Sequence, residues 1–207
     1  MMRMRRRLMM APKSKLPSGY ILLEYIESTG NQCINTGVKP TSETVCRIKV
    51  NMTKINSHTT VGNSTGRESD SFRFFNANGL IYLDYGSGSQ GGNRIYGGSW
   101  PAGQTVNFEF GNRYVKDLDT DEILISNTAV GAFSKSYTIY LMDNKVTSGK
   151  GSGKVYYLQI INAGILVRDY LPCINPSGAV GMYDLVSQKF YGNAGTGTFV
   201  AGYKEVA

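Results

Sequence analysis

Between residues 154 and 199 the chain alternates so regularly and turns so often that only short β-strands fit it. Tyr156, Leu158 and Ile160 interleave with Tyr157, Gln159 and Ile161, a period-two run rich in aromatic and β-branched residues. Asn162-Ala163-Gly164 breaks that run with hairpin chemistry. Residues 165–171 predict a second strand, stopped by Pro172, and Asn175-Pro176-Ser177-Gly178 predicts a turn. Segments 180–185, 189–191 and 198–201 predict three more strands, the last one entered through a glycine-rich bend at 192–197. Strands this short, with turns at this spacing, predict an antiparallel sandwich or barrel.

The rest of the chain repeats the pattern. Strands are expected at 20–26, 32–35, 43–52, 59–62, 71–76 and 80–85. Further strands are expected at 105–110, 113–118, 122–126 and 137–141. In 43–52, Val45, Arg47 and Lys49 alternate with Cys46, Ile48 and Val50, so one face is apolar. Val106, Phe108 and Phe110 form an inward row in 105–110. Asn78-Gly79 is a strong two-residue hairpin signal. The aromatic residues Tyr156, Tyr157, Tyr170, Tyr183, Phe190 and Tyr191 read as core and sheet-face positions. No segment outside the first residues has a helical period.

Residues 86–103 read as a long glycine-rich loop, and loops of this length usually carry function or move. Arg94, Tyr96 and Trp100, the only tryptophan, lie in it, and Tyr85 immediately precedes it. Aromatic faces stack on the C–H surface of sugars and an arginine bonds hydroxyls. Tyr85, Arg94, Tyr96 and Trp100 are therefore candidate glycan-binding residues. The competing reading has Trp100-Pro101 closing one end of a sandwich core.

The net charge of +7 is unevenly distributed. Arg3, Arg5, Arg6, Arg7, Lys13 and Lys15 sit in residues 1–15 with no acid among them. These are six of 22 bases, which leaves 16 bases against 15 acids in the remainder. The body is thus nearly neutral, which argues against a broad nucleic-acid-binding face. The chain divides into a basic arm, 1–15, and a sandwich, 16–207. The arm reads either as a solvated tail or as an anchor for an acidic or anionic partner.

Several chemistries find no support. His58 is the only histidine, and no serine lies in a nucleophile elbow. Glu68 and Asp70 could share one strand face as a hydrolytic pair, but no third acid follows at Phe72. Asp117, Asp119 and Asp121 alternate as calcium ligands do, yet Glu122 stands where an EF-hand loop requires glycine. A charged turn explains them more simply. Cys33, Cys46 and Cys173 have no zinc spacing and no obvious disulfide framework, so they are expected to pack as buried thiols. No apolar run is long enough to cross a membrane as a helix, and Leu8-Met9-Met10-Ala11 is too short for a signal-peptide core. No cofactor or metal is expected.

Two sets of residues carry a family resemblance. The first is Leu22-Leu23-Glu24-Tyr25-Ile26-Glu27-Ser28-Thr29-Gly30 followed by Ile34-Asn35-Thr36-Gly37. The second runs from Leu166-Val167-Arg168-Asp169-Tyr170-Leu171-Pro172-Cys173 through Gly181-Met182-Tyr183-Asp184-Leu185 to Gly195-Thr196-Gly197-Thr198-Phe199. Together they resemble the LamG-like, concanavalin-type jelly-roll domains of bacteriophage and prophage proteins of gut bacteria. The resemblance implies an all-β, antiparallel jelly-roll β-sandwich behind a basic N-terminal arm. It also implies a non-enzymatic virion protein, present in many copies and docked on other virion proteins by the arm. Such a domain would face outward, towards cell-surface or mucus glycans. A free carbohydrate-binding module or a tail-fibre receptor-binding domain is the alternative, and fold alone does not choose between them.

Overall fold

A computed structural model of the chain describes residues 16–53, 58–63, 71–86, 94–111, 114–126, 137–143 and 150–203. These residues are all β, with no helix among them. In chain order the first strands are β1 (Ile21–Leu22), β2 (Tyr25–Thr29), β3 (Ile34–Asn35), β4 (Thr44–Met52), β5 (His58–Gly62) and β6 (Ser71–Ala77). Next come β7 (Leu80–Gly86), β8 (Arg94–Ser99), β9 (Val106–Gly111), β10 (Tyr114–Asp117), β11 (Ile123–Ser126) and β12 (Tyr140–Leu141). The last are β13 (Ser152–Asn162), β14 (Ile165–Ile174), β15 (Val180–Asp184), β16 (Lys189–Tyr191) and β17 (Val200–Gly202).

Two antiparallel sheets form the expected sandwich. The larger has the order β11-β10-β9-β4-β13-β14-β15-β16, with β1 on β14 and β2 between β13 and β17. The smaller has the order β3-β12-β5-β6-β7-β8. The period-two reading of 43–52 holds. Cys46, Ile48 and Val50 are fully buried, while Val45, Arg47 and Lys49 face outward. The Asn78-Gly79 turn joins β6 to β7 with φ of 52° and 73°, the left-handed pair that a two-residue hairpin requires.

The core lies between the sheets and is mostly aromatic. Phe74 of β6 stacks on Phe110 of β9 with centroids 4.3 Å apart and planes 13° apart. Trp100 packs on Phe74 at 5.4 Å and edge-on to Phe108 at 5.8 Å. Such pairs add about 0.5–1.5 kcal/mol each beyond area burial. A smaller cluster of Leu16, Cys173 and Tyr183 is closed by Tyr20, whose ring meets Tyr183 edge-on at 5.0 Å. The segment entering the domain therefore covers β14 and β15. All three cysteines are buried. Desolvation pushes the Cys46 thiol far up and Cys173 up to about 12, so neither is a nucleophile at neutral pH.

The strand expected at 20–26 is split into β1 and β2, the one expected at 137–141 shortens to β12, and two further local expectations fail. The strand from Ile165 does not stop at Pro172 but continues to Ile174, with Pro172 paired opposite Met182. The Pro172 carbonyl accepts from Leu23 N at 3.0 Å, so its nitrogen also faces the short β1 side and costs no bond to β15. The second failure lies inside the glycine-rich stretch at 86–103, where Arg94–Ser99 forms β8. There Gly97-Gly98 hid the alternation that buries Ile95 and exposes Tyr96.

The signature residues have structural employment. Asp184 is fully buried, and its carboxylate accepts from Asp169 N (2.8 Å), Val186 N (3.1 Å) and Ser187 N (3.1 Å). Arg168 Nε stands 3.5 Å from the same carboxylate and also donates to Thr36 O at 3.3 Å. Tyr170 donates to that carbonyl too, at 3.2 Å, and lies edge-on to Tyr191. At the other signature the chain ends interlock. Cys33 N donates to Asn193 Oδ1, Ala194 N to Cys33 O and Thr196 N to Asn31 O, at 2.8–3.0 Å.

Candidate functional site

The four residues singled out as a glycan platform do not form one. Tyr85 is fully buried, packs on Phe72 and donates its hydroxyl to Thr44 O at 3.0 Å. Trp100 is 4% exposed within the aromatic core, with no hydrogen-bond partner for its Nε1 among the described residues. Both side chains point between the sheets, where no sugar reaches them. For Trp100 the reading as a residue closing the core is the correct one. Arg94 and Tyr96, two apart on β8, point the other way, onto the outer face of the smaller sheet.

On that face two cross-strand rows run side by side. In one, Asp84 of β7 is paired in register with Arg73 of β6 and Arg94 of β8. Arg94 donates Nε and Nη2 to the two Asp84 oxygens at 2.6 and 2.7 Å. That pairing holds the Arg94 guanidinium charged and in place, raising its pKa against partial burial. In the second row, Phe75, Tyr82 and Tyr96 stack face on face, with centroids 5.0 and 5.2 Å apart.

The outer face of the larger sheet carries an open groove of about 480 Å³, lined by Val45, Arg47, Glu109, Tyr114, Gln159, Ile161, Gly164 and Leu166. Register explains its make-up. Lys116, Glu109, Arg47, Gln159 and Asp169 are successive cross-strand partners on β10, β9, β4, β13 and β14. They form one polar row perpendicular to the strands. The next row along the same strands contains Val45, Ile161 and Leu166. Polar groups in the first row hold one another. Arg47 Nε donates to Glu109 at 2.6 Å, the Tyr114 hydroxyl donates to Glu109 at 2.7 Å, and Gln159 donates to Asp169 at 3.1 Å. Beyond them the Tyr157 hydroxyl donates to Asn107 at 2.5 Å.

The electrostatics of the groove suit binding better than proton transfer. Burial opposes ionisation of Glu109, but the hydrogen bonds from Tyr114 and Arg47 outweigh it and hold the carboxyl below its usual range. Burial and the bond to Glu109 push Tyr114 well up, so it stays a donor. A general acid for glycoside cleavage needs the opposite shift.

The other sequence candidates are dispersed. Asp117 accepts from Asp119 N and Thr120 N as a turn residue, Asp119 accepts from Asn107, and Asp121 pairs with Lys116. Among the described residues no three potential metal-ligating side chains converge. Glu68 and Asp70 lie outside the described residues, as do Arg3, Arg5, Arg6, Arg7, Lys13 and Lys15 of the arm. Sequence reading missed the groove because its residues come from five strands whose adjacency is not local. The usable signal was the polar face that Arg47 and Lys49 give to 43–52, a face open to solvent or to a second layer by its pattern.

No family model matches the chain, and no curated protein matches it significantly. Among solved structures it is similar to a Bacteroides ovatus protein provisionally described as carbohydrate binding. The TM-score is 0.52 at 10% sequence identity, covering 90% of this chain. The chain spans 62% of that protein's length. The likeness is one of fold.

Proposed function

We propose that this protein is a non-enzymatic saccharide-binding module and that its ligand lies in the groove across β10, β9, β4, β13 and β14. One observation carries the reading: an ordered row of donors and acceptors runs beside an apolar row. A pyranose presents the same two surfaces, hydroxyls at its rim and C–H groups on its faces. Pre-ordered polar groups lose little freedom on binding, so a shallow groove can still orient a sugar. Glu109, held ionised between Arg47 and Tyr114, acts here as an acceptor rather than as an acid. The fold shared with a protein provisionally described as carbohydrate binding supports the same reading.

Leu166, 39% exposed at the groove wall, provides the test. An array of oligosaccharides probed with the full-length protein is expected to give retained spots. Leu166→Arg, which fills the groove without touching the core, should weaken retention about tenfold or more, with an unchanged circular-dichroism spectrum. Retention unaffected by Leu166→Arg, or no retention by the native protein, would sink the groove. Release of new reducing ends from any retained sugar would show an enzyme.

The setting we propose is a virion. The arm residues Arg3, Arg5, Arg6, Arg7, Lys13 and Lys15 dock on other virion proteins, and many displayed copies compensate weak single sites. The resemblance to phage domains and the confinement of the excess charge to the arm support this. Deleting residues 1–15 should abolish co-sedimentation with assembled particles and leave sugar retention intact. Equal co-sedimentation of both forms would remove the arm from that role.

A further inference from the structure

The stack on the smaller sheet is unfinished at one end. Its closed end is capped by Arg73, whose guanidinium carbon lies 3.9 Å from the Phe75 centroid while Nε donates to Thr59 at 2.9 Å. Phe75 is 3% exposed. Tyr82 lies between Phe75 and Tyr96. At the other end is Tyr96, 62% exposed although one face rests on Tyr82. With one face on Tyr82, the exposed surface comprises the opposite face, the ring edge and the hydroxyl. β8 is the last strand in the order of its sheet, so the row ends there among the described strands. Gly97 and Gly98 follow Tyr96 along β8 and raise no side chain beside it.

We infer that the open face of Tyr96 is a second saccharide site, separate from the groove, taking the C–H face of a neutral pyranose. Two features select that chemistry. The tyrosine face is electron-rich and apolar, suited to the slightly positive C–H groups of a sugar. Beside it, Arg94 spends two donors on Asp84, so its charge is answered within the protein. A phosphate, sulfate or uronate would have to compete with that built-in carboxylate. A hydroxyl needs only the N–H groups that Arg94 does not give to Asp84. Neutral sugar is therefore favoured over nucleic acid, whose stacking comes with backbone charge. Because the two sites lie on opposite faces of the sandwich, one molecule can bridge two glycan chains.

The test uses the full chain and neutral oligosaccharides of glucose, galactose and mannose as probes. With the groove blocked by Leu166→Arg, residual binding should persist, and adding Tyr96→Ala should weaken it about tenfold. Tyr96→Trp should preserve or strengthen it. Saturating tyrosine ring protons should transfer magnetisation to sugar C–H groups in Leu166→Arg and not in the double variant. No residual binding in Leu166→Arg overturns the second site while leaving the groove intact. Residual binding indifferent to Tyr96→Ala overturns it equally. If Tyr96→Ala instead changes the oligomeric state, the open face is a self-association surface and the inference fails. If native binding is lost only on Tyr96→Ala and never on Leu166→Arg, the groove reading falls and this one stands.

Discussion

Asp184→Ala is expected to destabilise the domain by about 3–5 kcal/mol, much of the 5–15 kcal/mol that holds a typical domain folded. The side chain is fully buried and serves several groups at once: the backbone N–H of Asp169, Val186 and Ser187, and the Arg168 guanidinium. Alanine removes every acceptor together. Three part-buried donors then lose their acceptor, and an arginine whose side chain is 22% exposed is left without its counter-charge. Urea unfolding followed by tryptophan fluorescence measures the loss, since Trp100 lies in the core. Asp184→Asn keeps one carbonyl oxygen and should cost less. In the Arg168→Met background, Asp184→Ala should cost less than in the native protein, because the charge it strands has gone. A loss below about 1 kcal/mol for Asp184→Ala would mean that this carboxylate does not hold the β15–β16 turn against β14.

Gly195→Ala should cost about 3 kcal/mol, mainly by prying the chain ends apart. A Cβ at Gly195 would collide with the Asn31 carbonyl oxygen, well inside the 3.0 Å that real Cβ atoms respect. The obstacle is backbone, so no side chain can swing aside. Relief requires the 192–197 bend to lift from Asn31 and Cys33, which weakens the flanking bonds from Thr196 N and Ala194 N. For a chain of this size, Tm should fall by roughly 6–12 °C. Amide exchange should accelerate at Ala194 and Thr196 before it does in β4 or β13. Gly192→Ala is the control. Its nearest neighbour is the Phe190 ring at 3.4 Å, and a cost under about 1 kcal/mol is expected. Equal losses for the two variants would show that composition of the bend matters and its fit against Asn31 does not.

These two residues show why the signature stretches are legible as fold and poor as guides to ligand. Arg168, Asp184, Asn193 and Gly195 are polar or small residues in sequence positions that look functional. Each is used to tie one segment to another. Tyr85 and Trp100 misled in the same way. An aromatic residue beside a glycine-rich stretch is equally compatible with a platform and with a core, and only its side of the sheet distinguishes them. β8 was hidden for a related reason, because two glycines erase the alternation by which a strand is recognised.

Alternation and turn chemistry are properties of neighbouring residues, so the sequence by itself determined the all-β class, the inward rows of β4 and β9, and the Asn78-Gly79 and Asn162-Ala163-Gly164 hairpins. Pairing between distant segments is not local. β4 lies between β9 and β13, bringing residues 44–52 against 106–111 and 152–162. Only that arrangement sets Arg47 between Glu109 and Gln159 and opens the groove beside them. Only the packing of one sheet on the other turns Trp100 inward and leaves Tyr96 outside. A strand defines two faces from its own residues, but which face meets the core, and which strands stand beside it, is decided by the apolar area that the whole chain can bury.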